Sequence, residues 1–128
     1  MKIIITLAVL FIASFASIDR VLADEVITSG TFVGKSDHVT KGGASIEQDA
    51  DGNYIVVLGE DFSLDGAPDP KVGLGKDGYK KNAELGKLEK KKGKQVYSIP
   101  ANFDPADFNE IWIWCERFSV PLGVAKLS

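Results

Sequence analysis

One cysteine, one histidine and one methionine are all that this 128-residue chain has of the sulfur and imidazole side chains. A structural zinc site draws four ligands mostly from Cys and His, so that class is excluded. A single cysteine makes no internal disulfide. Basic residues are not in excess either: 15 Lys and Arg stand against 18 Asp and Glu, a net charge of −3. Nucleic acid rewards a basic surface, so no nucleic-acid partner is expected. No long helical period of apolar residues appears. The 13 glycines sit at turns, not in a phosphate loop that opens a helix. No hydrolase motif is visible. The one long apolar run, residues 3–18, falls short of the about 20 residues that a bilayer span needs.

That run follows Lys2 and leads to Val21, Leu22 and Ala23, with acidic Asp24 and Glu25 after them. A positive start, an apolar middle and small or apolar residues before a cut are the layout of a secretory signal peptide. We therefore expect residues 1–23 to be a signal peptide and residues 24–128 to be a single domain. The protein is then secreted or periplasmic, with no stable membrane span after cleavage. Lys2, Asp19 and Arg20 fall in the leading segment, so the remaining domain stays mildly acidic. Its length of about 105 residues suits one modest hydrophobic core.

Short strand-like runs fill that domain. Residues 30–34 and 44–48 are two of them. Asp49, Ala50, Asp51, Gly52 and Asn53 separate the second from the apolar run 54–58, and Asp-Gly between strands signals a hairpin. The continuous apolar character of 54–58 argues burial on both faces. Phe62 and Leu64 are expected to plug the core from a loop. Pro68 and Pro70 exclude regular structure there, and residues 72–74 form a short strand at most. Residues 76–94 are polar and lysine-rich, and Lys90, Lys91, Lys92 and Gly93 read as an exposed loop or hairpin tip. Residues 95–99 alternate with period two up to Pro100. Asp104 before Pro105 is a cap for one turn of helix. Residues 120–127 close the chain as a strand. The pattern predicts an all-β fold: a small antiparallel β-sandwich or barrel-like domain with short loops and at most one helical turn.

The chemically distinctive stretch is residues 110–123, which holds Cys115 and both tryptophans. As a strand it places Ile111, Ile113 and Cys115 on one face, with Trp112, Trp114 and Glu116 on the other. Both faces are apolar up to Glu116, which predicts a central strand covered on most of both sides, with the tryptophans in the core. An odd cysteine in an exported protein is a free thiol, a ligand or half of an intermolecular bridge. It is otherwise a buried small hydrophobe. Cys115 is the redox candidate, as a thiolate or as a ligand to haem iron or another metal. Arg117 would share its face in a regular strand and favour the thiolate. His38, in a polar turn, is either a structural histidine, a haem or metal ligand, or a partner to the thiolate. The carboxylates of Glu60, Asp61, Asp65 and Asp69 are a solvated loop or an irregular calcium site.

These residues together resemble the DM13 (DM-thirteen) domain family, an extracellular electron-transfer module often found beside DOMON-type domains. Gly30-Thr31-Phe32, His38 and Gly42-Gly43 resemble its opening. Phe62 and Gly66-Ala67-Pro68-Asp69 resemble its next loop, and residues 85–88 and 93–100 its middle. The most specific segment is 113–127, with Cys115, Phe118 and the Gly123-x-Ala125-x-Leu127 ending. Pro70 and Leu122 depart from the leucine-like and aromatic residues usual at those places. The resemblance implies a β-rich extracellular domain whose cysteine does redox work, as a bare thiol or bound to a group such as haem, with Cys115 and His38 on the matching positions. With no DOMON domain attached, the electron partner is then a separate redox protein. The alternative is a non-catalytic extracellular binding or interaction module with Cys115 as core. Either way the chain reads as a carrier or binding module more than as a stand-alone enzyme.

Overall fold

The computed structural model describes residues 24–128. The expected signal segment lies outside the described residues. Ten strands follow in order: β1 (Glu25–Gly34), β2 (Thr40–Lys41), β3 (Gly43–Gln48), β4 (Tyr54–Leu58), β5 (Ser63–Leu64), β6 (Pro70–Gly75), β7 (Tyr79–Lys87), β8 (Gln95–Ser98), β9 (Glu110–Cys115) and β10 (Val120–Lys126). Eight of them form one sheet in the order β7-β6-β9-β10-β1-β3-β4-β8, and every neighbouring pair is antiparallel. The sheet curls until its edge strands β7 and β8 approach each other, giving a nearly closed barrel. The small pair β2–β5 is a separate two-stranded ladder. The all-β reading holds, with one 3-10 turn at Pro105–Asp107 as the only helical element among the described residues.

Local signals explain most elements. Asp49 Oδ1 accepts from the Asp51 and Asn53 amides, and Gly52 takes a positive φ of 83°, so the β3–β4 hairpin turns where the sequence says it does. β4 is buried along both faces from Ile55 to Leu58. The side chain of Asp104 accepts from the Ala106 amide and starts the 3-10 turn, with Pro105 at its first position. Pro70 opens β6, where a missing amide costs no ladder bond inside the strand. Leu122, where the resemblance expects an aromatic, is fully buried. Phe62 and Leu64 are buried as expected, and Phe62 meets Phe32 edge-to-face with centroids 5.4 Å apart.

Within residues 76–94, Tyr79–Lys87 is a strand that the sequence reading did not name, and residues 88–94 form the lysine-rich connection, which includes the tip read at 90–93. Its pairing with β6 is broken by register shifts between Val72 and Gly73 and between Gly73 and Gly75. Each shift breaks the two-residue alternation, so the amphipathic pattern never shows in the sequence. Ala83 is nonetheless fully buried. The lysines fit an edge strand, where charge discourages pairing with other chains.

Candidate functional site

β9 carries Cys115 to one end of the barrel. Inside the sheet it pairs with β6 on one side and β10 on the other, with Cys115 opposite Pro70 and Val120. Ile111, Ile113 and Cys115 all face the packed interior, and Cys115 is 1% exposed. Alternation therefore predicted this face correctly. The other face differs from expectation. Trp112 and Trp114 are only half-buried, because they lie on the outside of the barrel, where the described residues form no second layer. Their cover is local. The Tyr79 ring stacks on Trp114, with centroids 4.4 Å apart and planes 9° from parallel. Gly73 leaves room for it, since a Cβ there would sit 2.6 Å from the Tyr79 ring. Desolvation pushes the Tyr79 hydroxyl pKa well above its ordinary value, helped by the nearby Glu84 and Glu116 carboxylates.

The thiol itself has one polar contact. Cys115 Sγ lies 3.2 Å from the carbonyl oxygen of Pro68, to which it donates. Pro68 belongs to the loop 65–69, which bridges β5 and β6. The Asp69 carbonyl accepts from the Glu116 amide at 3.2 Å. Asp69 also holds Lys71, with Oδ1 3.3 Å from Nζ. The expected partner Arg117 does not join this group. The strand ends at Cys115, and a turn over 116–119 with Ser119 at φ 51° swings Arg117 outward. Its guanidinium lies 5.7 Å from the ring centroid of Phe118, which is 63% exposed.

His38 sits in a tight turn closed by its own amide on the Lys35 carbonyl, with Ser36 and Asp37 both at positive φ. Its Nδ1 is 2.9 Å from Asp65 Oδ1. The second Asp65 oxygen accepts from the Val39 amide at 2.9 Å. These bonds, the amide first and the histidine second, hold the Asp65 carboxyl below its ordinary pKa. No hydrogen bond joins His38 to Cys115. The two are linked through loop 65–69, which rests one end on His38 and the other on Cys115.

The acidic group reads in sequence as a solvated loop, with an irregular calcium site as the alternative. Three of its four members are engaged by the chain itself: Asp61 by the Gly43 amide, Asp65 by His38 and Val39, Asp69 by Lys71. No group of three or more potential metal ligands gathers among the described residues. No spacing signal could have found the His38–Asp65 pair, since 27 residues separate them.

The family model described as electron transfer DM13 matches residues 31–127. The chain belongs to the DM13 family. No curated protein matches it, and no solved structure does. The match spans the barrel from β1 to the end of β10, and so includes Cys115, His38 and loop 65–69. A haem on this DM13 domain was one expectation for Cys115. The packing does not fit it: Cys115 is 1% exposed within the buried core of the barrel, and the one polar contact of its sulfur is the Pro68 carbonyl. Neither Cys115 nor His38 lines the surface depressions beside Phe103, beside Trp112, between β1 and β3, beside Thr31 or beside Phe108. Among the described residues no helix is long and apolar enough to cross a membrane.

Proposed function

We propose that this DM13 domain is an exported redox module that exchanges electrons through the bare thiol of Cys115 with a disulfide on a separate molecule. The family supplies the electron-transfer class, and residues 1–23 support export. The observation that carries the thiol reading is where the sulfur lies. Cys115 is the last residue of its strand, and its sulfur meets the Pro68 carbonyl of loop 65–69. On this reading, movement of that loop is what brings a partner to the sulfur.

One cysteine holds half of a disulfide, so the other sulfur belongs to the partner. Cys115 loses its proton to solvent, and its sulfur attacks one sulfur of the partner disulfide. A new Cys115–partner bond forms as the old S–S bond breaks, and the displaced sulfur leaves as a thiolate. Cys115 is oxidised and the leaving sulfur is reduced. A thiolate of a second, reduced molecule then attacks the partner's sulfur of the mixed disulfide; a disulfide forms between those two, Cys115 leaves as a thiolate, and two electrons have passed from the second molecule to the displaced sulfur of the first.

The test uses oxidised glutathione as the disulfide. Intact-mass analysis of the native protein is expected to show one glutathionyl group, mapped to Cys115 and removed by a thiol reductant. Cys115→Ser is expected to gain none. A wild-type protein that stays unmodified in the folded state and reacts only after denaturation would sink the redox reading. The binding-module reading, with Cys115 as core, would then take its place, and the 1% exposure is the observation in its favour.

A further inference from the structure

Loop 65–69 is hydrogen-bonded by backbone at its two ends; between them it is held by the Pro68 carbonyl on the Cys115 thiol and by Ala67 packed against the core. At its start, Asp65 makes three bonds to the 38–39 turn. Oδ1 meets His38 Nδ1 at 2.9 Å, Oδ2 accepts from the Val39 amide at 2.9 Å, and the Asp65 amide donates to the Val39 carbonyl at 3.1 Å. At its end, the Asp69 carbonyl takes the Glu116 amide and Pro70 enters β6. Gly66, Ala67 and Pro68 make no backbone-to-backbone hydrogen bond. Gly66 at φ 117° and Asp69 at φ 49° mark the two bends. A segment of this kind, pinned at its ends and lacking ladder bonds, opens as a local unit at lower free energy than the sheet.

The end near Asp69 is anchored in the barrel, because β6 is a central strand paired on both sides. The end near Asp65 is anchored to the exposed 38–39 turn, and the short β5 before it pairs with β2 and with residues 91–93 outside the main sheet. Opening is therefore decided at Asp65. When its bonds to His38 and Val39 break, the loop can swing about Asp69 and lift Pro68 from the sulfur.

We propose that His38 and Asp65 are positioning residues that latch loop 65–69 over Cys115 and so set how often the thiol is open to a disulfide partner. The purpose of such a latch rests on the redox reading above, but its existence is tested separately. His38 then acts as the donor that braces Asp65. Both latch residues are partly exposed, with side chains 27% and 39% accessible, so a docking partner can reach and disturb the pair.

The experiment is alkylation of the native protein by iodoacetamide at fixed pH, read by mass, with denaturation midpoints measured in parallel. Asp65→Ala removes both side-chain bonds and is expected to speed alkylation of Cys115 roughly tenfold or more, since each lost bond is worth about that order in an opening equilibrium. Asp65→Asn keeps one carbonyl oxygen and is expected to fall between it and wild type. His38→Ala leaves the Val39 bond and is expected to give a smaller gain. If Asp65→Ala does not fold, the other two variants carry the comparison. The latch is overturned if the variants alkylate at the wild-type rate. It is equally overturned if each gain merely equals the variant's loss of global stability. A wild-type protein that forms the glutathione adduct while the variants show no gain would remove the latch and keep the redox reading. Faster alkylation without any adduct in wild type or variants would do the reverse.

Discussion

Cys115→Asp is expected to destabilise the domain by about 4 kcal/mol or more near neutral pH, the scale for an unpaired charge placed in a core. The site offers a carboxylate nothing. Its polar neighbour, the Pro68 carbonyl, is an acceptor like itself. The new side chain therefore either keeps its charge beside another oxygen or takes up a proton to donate to it. In the second case its folded pKa is raised above the unfolded value. The folded state then binds the extra proton, and the penalty shrinks as pH falls toward the ordinary carboxylate range. Urea denaturation at neutral and acid pH measures both parts. Cys115→Ser behaves differently, because its hydroxyl still donates to Pro68. Its expected cost is about 1 kcal/mol, from the general scale for a changed hydrogen bond and altered packing. That contrast is what makes the serine variant a usable redox control: it removes the sulfur and leaves the fold.

Phe62→Ala is expected to cost about 3–5 kcal/mol, the range for truncating a buried aromatic. Phe62 is 1% exposed and loses its edge-to-face contact with Phe32. Its backbone is fixed as well, donating to Gly59 and accepting from Gly93, so the surrounding chain cannot easily collapse into the space. The urea midpoint should fall by about 2 M at a typical slope for a domain of this size. Phe62 lies one residue before β5, from which loop 65–69 departs. Loosening this end should therefore also speed modification of Cys115. A midpoint within about 0.5 M of wild type, well short of that burial cost, would show that residues 59–64 are not part of the core.

Which parts of this molecule were legible follows from which interactions are local. The β3–β4 turn was readable because Asp49 and Gly52 close it within five residues. The cap at Asp104 was readable for the same reason. β9 was readable because Ile111, Ile113 and Cys115 alternate without a break. β7 was not, since its bulges scramble the alternation against β6. The outward placement of Trp112 and Trp114 was hidden too, for a tryptophan covered by a stacked ring, as Trp114 is by Tyr79, or bonded to a carboxylate, as Trp112 is to Glu110, looks in sequence like a core residue. At the site, Cys115 and His38 stood out by being single. Their relation did not, because it passes through Asp65 and Pro68, distant in sequence from both and ordinary in composition. A tertiary hydrogen bond leaves no period and no spacing behind it.

The account stands on Cys115 being covered yet openable. Iodoacetamide labelling of the wild-type protein in rising, sub-denaturing urea tests this most directly. The account predicts labelling faster than global unfolding allows, at a rate nearly flat in urea until the sheet itself begins to melt, because opening one short loop exposes little surface. Labelling that climbs with urea on the full unfolding slope, and vanishes on extrapolation to water, would contradict it and leave Cys115 a core residue.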